Sequence, residues 1–373
     1  MSADLSRRQA FMILNGLPSI GPISLNRLLE AFDQDPVAVL SAGSSELRRV
    51  SGVGPVMTRT VQDWSSHFRL EKEEKKLEVS GARFLIREDS EYPPLLREIY
   101  DPPIGLYAMG EYKWSEQTVA IVGARRSTLY GQAVARRLGA DLARVGFCVF
   151  SGLARGIDTA AHEGALEVEG PTVAVLGCGL DIIYPPENLD LYRRIGESGT
   201  VFSEFPFGRR ADRQTFPMRN RVVAGSCQAV VVVESDLNGG AMITARFAGE
   251  QGRMLFAVPG RIDQPTSRGC HALIRDGATL VTSIEDILQE FEYLGGMRPL
   301  PIGRSEEAVA GGVELEGEEA AVYECFRGGS IVNMDTICGL IGSSAADTSA
   351  ALMGLEIKHL IRKRADGCFE SIH

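Results

Sequence analysis

The sequence predicts an α/β protein built on an extended Rossmann-like, doubly wound parallel sheet. Two observations carry this. Six short apolar, β-branched runs alternate with helical patterns, and most of the runs empty into a glycine-containing loop. The runs are Thr118–Val122, Phe147–Phe150, Thr172–Leu176, Val201–Phe202, Ala229–Glu234 and Met254–Val258. Their apolar residues are continuous rather than alternating, which suits strands covered on both faces. Helical patterns such as Gln132–Val145 and Met242–Gln251 supply the crossovers that parallel strands need.

This core is expected over residues 89–294. Residues 1–88 read as short helices joined by glycine turns, with a weak internal repeat. Leu17-Pro18-Ser19-Ile20-Gly21-Pro22 and Val50-Ser51-Gly52-Val53-Gly54-Pro55 each precede a helical pattern. A Gly-Pro turn opening a helix resembles the helix-hairpin-helix (or SAM-like) module, whose backbone N–H groups can meet a phosphate. It is equally ordinary helix punctuation. Residues 295–317 are a Gly-, Pro- and Glu-rich linker. In residues 318–373, helical patterns at Glu318–Phe326, Met334–Ile341 and Ala346–His359 precede two short strands turned at Asp366-Gly367. That order spells a winged helix. Its third helix carries Asp347 and Glu356 against Lys358, and basic residues gather only at Arg362, Lys363 and Arg364. A protein or dimer contact is therefore as well supported there as DNA reading.

The 373 residues are 44% apolar and 24% charged, ordinary for a globular chain. The only early apolar run, Phe11–Leu14, is too short for a signal-peptide core, and no stretch is long enough to span a bilayer. The expected address is cytoplasmic. The seven cysteines are scattered, without CxxC spacing or a His placed to suggest a zinc knuckle, so no metal is expected. The net charge of −10 weighs against nucleic acid only if it is evenly spread. It is not: Val119–Arg221 holds 13 Arg, 11 Asp or Glu and no Lys, and the local field decides what binds.

Open α/β sheets bind ligands beyond the carboxyl ends of their strands. There the sequence places Gly123-Ala124-Arg125-Arg126-Ser127, then Ser151-Gly152-Leu153-Ala154-Arg155-Gly156, then Gly177-Cys178-Gly179 with Asp181-Ile182-Ile183-Tyr184. Glycines admit a ligand close to the backbone, and guanidinium forks beside helix N-termini make an anion site. Neither GxGxxG nor GxxxxGK[ST] occurs, so a dinucleotide or a P-loop phosphate is not expected, and no cofactor is. Catalytic groups are hard to find. Asp158 and His162 lie one helical turn apart, where a helix-surface pair or an ordering hydrogen bond is the expected role.

Val122-Gly123-Ala124-Arg125, Ser151-Gly152-Leu153-Ala154-Arg155-Gly156-Ile157-Asp158 with Ala161-His162, and Phe216-Pro217-Met218-Arg219-Asn220-Arg221 resemble the DNA-processing protein A (DprA/Smf) family. So do Gly239-Gly240 with Thr244-Ala245, and Ala257-Val258-Pro259-Gly260. Ala124 departs from the pattern, where Ser is usual. The resemblance implies a non-enzymatic single-stranded DNA-binding protein that forms a homodimer. It also implies loading of a RecA-type recombinase onto incoming DNA during natural transformation. The residues suggest how. Arg125, Arg126 and Arg155 would hold phosphates, with the N–H groups of Gly123, Ser127 and Gly152 adding hydrogen bonds beside Ser151. Arg219, Asn220 and Arg221 would extend the groove or fix its wall. Ile182, and Tyr184 unless it is core, would meet a base. The alternative is a Rossmann-like nucleotide phosphoribohydrolase. Its signature would need a Glu three residues after Thr244, where Phe247 stands.

Overall fold

The computed structural model describes residues 5–111, 117–295, 315, 317–326, 332–358, 360–363 and 367–371. The chain forms two compact units, Met1–Leu300 and Pro301–His373. In the first, nine strands make one sheet. They are β1 (Arg83–Ile86), β2 (Gly105–Met109), β3 (Thr118–Gly123), β4 (Cys148–Ser151), β5 (Thr172–Leu176), β6 (Thr200–Ser203), β7 (Ala229–Val233), β8 (Met254–Ala257) and β9 (Thr279–Leu280). Their order is β1-β2-β6-β5-β4-β3-β7-β8-β9. All six expected strands are present within a residue or two of their expected bounds.

From β6 to β9 every pairing is parallel. The expectation of a wholly parallel sheet needs correcting at the other edge, where β1 pairs β2 and β2 pairs β6 antiparallel. Between β1 and β2 the chain holds only the single turn Leu95–Glu98 and no crossover helix, so β2 returns in the opposite sense. Gly105 is what lets the two strands close. A Cβ there would fall 2.1 Å from the Phe84 ring.

The sheet is covered on both faces, which is why its strands read as unbroken apolar runs. Val119, Ile121, Val149 and Val231 pack with Leu138, Leu142 and Ala161 of the helices Leu129–Arg144 and Ile157–Glu167. The alternate residues Ala120, Val122, Phe150 and Val232 pack with Val222, Ala241 and Ala245 of the helices Thr215–Gly225 and Gly240–Glu250. The N-terminal helices close one end of the sheet. Ile13, Leu28 and Val61 share a core with Phe84, Tyr107, Leu176 and Val201. Pro22–Ala31 and Pro55–Gln62 both begin with proline after a glycine N-cap, a position where the missing proline N–H costs nothing.

In the second unit the helices Glu318–Glu324, Met334–Ile341 and Ala345–Ile357 precede the antiparallel strands β10 (Ile361–Lys363) and β11 (Phe369–Ser371). Val322, Ile337, Leu352, Leu355, Ile361 and Phe369 form its core. Arg364 and Asp366 lie outside the described residues, as does most of the expected linker.

Candidate nucleic-acid interface

The strand order reverses between β3 and β7, and the crevice beyond such a reversal is where open α/β sheets usually take a ligand. Here the protein fills it. Glu234, with φ at 59°, follows β7 and turns its carboxylate onto the start of the helix Leu129–Arg144. It accepts from the Thr128 N–H at 2.8 Å and from the Thr128 hydroxyl. The helix stays close because position 131 is glycine, where a Cβ would lie 2.4 Å from the Glu234 carboxyl carbon. The expected anion site at this N-terminus is therefore corrected: an internal carboxylate already satisfies it.

The β4 loop behaves the same way. Asp158 Oδ2 accepts from the Gly152 N–H at 3.1 Å and from the Ala154 N–H at 3.3 Å, so the Gly152 N–H expected to meet a phosphate is already engaged. Ser151 is buried, its hydroxyl donating 2.6 Å to the Ile121 carbonyl, where it joins β4 to β3. Gly123 packs under Val233 and Ile157, and a Cβ there would fall 2.0 Å from the Val233 oxygen. Ser127 accepts from the Gln132 side chain at 3.2 Å.

A small cleft lies one step over, beyond the ends of β4 and β5. Arg125, Arg155, Tyr184, Phe216 and Arg219 line it together with Gly152 and Gly177. The Arg125 guanidinium sits 4.4 Å from the Phe216 ring centre. Phe216 in turn meets Tyr184 at 5.8 Å, and Tyr184 is 39% exposed. The arrangement is a cation on an aromatic pair at the mouth of a basic cleft. Arg155 is exposed and bound in two places to Glu187, through Nε to Oε1 and through Nη2 to Oε2 at 3.1 Å. The Arg155 guanidinium holds that carboxyl below its ordinary range. Arg126 is exposed and has no ion-pair or hydrogen-bond partner among the described residues.

Arg219 forms the floor. It is buried beneath Gly152, where a Cβ would fall 1.0 Å from its Nη1. Its Nη1 donates to the Val175 carbonyl at 3.4 Å and lies 3.8 Å from Asp158, while its Nε has no partner among the described residues. Burial pushes the Asp158 carboxyl up, against the pull of Arg219 and the two loop N–H groups. Of the two roles expected for Asp158 and His162, the helix-surface pair is excluded, while each makes ordering hydrogen bonds. Both are buried, and His162 Nδ1 meets the Thr172 hydroxyl at 2.7 Å instead. Burial, with help from the Arg219 charge, lowers the His162 pKa to about 3, so its ring is neutral.

The other expected contacts are placed elsewhere. Asn220 donates to the Gly240 carbonyl at 3.3 Å and ties two helices together. Arg221 is buried with Glu204 and Asp101, away from the cleft lining. Ile182 packs half-buried against the core beneath the N-terminal helices. Sequence reasoning left out Phe216, although it opens the Phe-Pro-Met-Arg-Asn-Arg motif, because an aromatic on a buried helix reads as core. Glu187 and Glu234 carried no signal, since their partners are distant in sequence. Among the described residues no cluster of three or more His, Cys, Asp or Glu could hold a metal ion. None of the described helices is long and apolar enough to cross a membrane.

Fold and cleft together define a Rossmann-like α/β protein with an arginine–aromatic cleft beyond its central strands. The description of the DNA recombination-mediator protein A family matches residues 83–292, and the chain belongs to this DNA-processing protein A (DprA/Smf) family. It is 35% identical to protein Smf of Synechocystis over 315 residues, 82% of this chain and 77% of that one. It is 43% identical to the DNA processing protein DprA of Streptococcus pneumoniae over 211 residues, 56% of this chain and 74% of that one. The X-ray structure of the S. pneumoniae protein superposes with a TM-score of 0.67 at 33% identity, covering 78% of this chain and 99% of that one. A structure of DNA processing protein A from Helicobacter pylori, described for its single-stranded DNA binding mode, gives 0.52 at 30% identity, covering 57% and 96%.

Proposed function

We propose that this protein binds single-stranded DNA in the arginine–aromatic cleft, without enzymatic chemistry, and helps load a RecA-type recombinase onto incoming DNA during natural transformation. It would act in the cytoplasm as a homodimer. One observation carries the reading: Arg125 stacked on Phe216, with Tyr184 exposed beside it. A cation beside a stacking surface takes any base and its phosphate, which is single-strand binding with little sequence preference. Arg219 below and Arg126 outside would add positive field. Gly152 contributes by making room for Arg219. In this reading the N-terminal helices are a helix-hairpin-helix type module, and the C-terminal unit is a winged helix serving protein or dimer contact.

A fluorescent oligothymidine titrated at several salt concentrations tests it. Binding is expected to weaken with salt, with a log–log slope of about −0.7 for each phosphate neutralised, and to exceed binding to blunt duplex. No binding at low salt, or a slope near zero, would sink the proposal.

The Glu187 contact gives a second expected outcome, opposite in sign to most substitutions. In the free protein Glu187 occupies Arg155, so a phosphate must displace it. Glu187→Gln keeps the shape and removes the competing charge. Affinity for oligothymidine is expected to rise about two- to fivefold, a modest gain because the pair is exposed. The same titration reads it, and unchanged or weaker binding would show that Arg155 does not take part.

A further inference from the structure

The cleft wall opposite Arg125 consists of two loops, and both are held from outside by one N-terminal helix. The first loop, 177–184, carries Cys178 and Tyr184. The second, 204–214, leads into the helix that carries Phe216 and Arg219. They are tied to each other. Asp181 Oδ1 accepts from the Gly208 N–H at 2.7 Å, and the Arg209 carbonyl accepts from the Gly179 N–H at 2.9 Å. Gly208 has a φ of +82°, so the turn at which they meet favours glycine. Asp212, four residues further on, accepts from the N–H groups of Gln214 at 2.8 Å and Thr215 at 3.0 Å, fixing the start of the Phe216 helix.

The helix Leu70–Ser80 grips each loop once. Glu73 is buried, and its Oε1 accepts from the Phe207 N–H at 2.9 Å. One turn later Lys76 donates to Asp181 Oδ2 at 2.9 Å, while its ammonium stands 5.5 Å from the Phe207 ring centre. Phe207 is further held edge-on by Tyr107 of β2 at 5.5 Å. Neither Glu73 nor Lys76 lines the cleft.

We infer that Glu73 and Lys76 are positioning residues: the N-terminal helix sets the separation of the cleft walls, and so tunes single-strand affinity without touching DNA. This rests on the single-strand reading above. The chain of contacts is continuous. Glu73 fixes Phe207 and Lys76 fixes Asp181. Asp181 and Gly208 join the two loops, and Asp212 passes the position on to Phe216. Releasing the grip removes no cleft residue but lets Tyr184 and Phe216 drift from their stacking distance.

The test uses the full-length chain, oligothymidine titrations and hydrogen exchange. Lys76→Ala and Glu73→Ala are each expected to weaken binding about three- to tenfold, the range for one lost hydrogen bond passed on to the ligand. The salt slope should stay at the parent's value, because no phosphate contact is removed. Exchange should quicken across residues 205–210, and Glu73→Gln and Lys76→Arg should recover most of the loss. Parental affinity in Lys76→Ala despite faster exchange overturns the inference. So does a loss accompanied by a slope shallower by one phosphate, which would make Lys76 a DNA ligand. Should Glu73→Ala fail to fold, the half-exposed Lys76 decides alone. If the parent itself binds no single strand, the cleft assignment falls and the inference with it. Failure of the inference alone leaves parental binding intact.

Discussion

Arg221→Ala is expected to destabilise the first unit by about 3–5 kcal/mol, the range for breaking a buried ion pair by removing one partner. The Arg221 side chain is 3% exposed and reaches both oxygens of Glu204, at 2.5 and 2.6 Å. Its Nη1 donates to the Asp101 carbonyl at 2.7 Å, and its Nε lies 3.3 Å from the Asp101 carboxylate. Burial pushes the Glu204 carboxyl up, and the Arg221 guanidinium is what opposes that shift. Without it, Glu204 is left beneath the N-terminal helices with only the weaker pull of Arg87. The contact also joins parts far apart in sequence, because the Glu204 carbonyl accepts from Asn15 at 2.7 Å. Urea unfolding measures the loss. Arg221→Met combined with Glu204→Met should recover much of it, since neither charge is then buried alone. Arg144→Ala, which removes only an exposed pair with Asp141, is expected to stay within about 0.5 kcal/mol of the parent. A parental unfolding midpoint for Arg221→Ala would mean that water reaches Glu204, and that the network does not hold the two parts together.

Arg125→Ala should leave stability nearly unchanged and weaken single-strand binding by about 1–3 kcal/mol, the range for lost charge-assisted hydrogen bonds. That is roughly five- to 150-fold in affinity. The side chain is exposed and anchored by its stack on Phe216, so its loss opens no cavity. The salt slope should become shallower by about 0.7, one phosphate's share. Arg125→Lys is expected to recover only part of the affinity, because an ammonium neither forks nor stacks as a guanidinium does. Arg144→Ala again serves as the control, since it ends the helix that begins at Leu129. Equal losses in the two variants, or none in Arg125→Ala, would place the binding surface elsewhere on the molecule.

The six central strands could be read from sequence because burial on both faces leaves a contiguous apolar run. β1 and β2 could not. Arg83–Ile86 and Gly105–Met109 are short, and they flank a segment containing Pro93, Pro94, Pro102 and Pro103 that reads as loop. The edge of the sheet that carries the cleft was also legible, because glycine loops ending in arginine mark it. Which N–H groups remain free there was not. Asp158 and Glu234 each satisfy a loop that glycines alone seemed to leave open. Glu234 comes from a strand 106 positions further along the chain, and no local pattern announces such a partner. Arg219, Asn220 and Arg221 show the same limit. Three adjacent polar residues on one helix diverge to the cleft floor, a neighbouring helix and a buried ion pair, because successive helical positions are turned about 100° apart.

The carboxylate seated at Thr128 also bears on what this protein ignores. A mononucleotide carries the phosphate that a vacant helix N-terminus attracts. By seating its own anion there, the fold places a negative charge where a small phosphate would otherwise sit, and the proposed recognition falls to a cleft with one stacking platform. A single nucleotide gains little from such a surface, whereas a polymer can engage it repeatedly along its length. If the cleft takes single strands as proposed, strand and monomer would be told apart before any sequence is read.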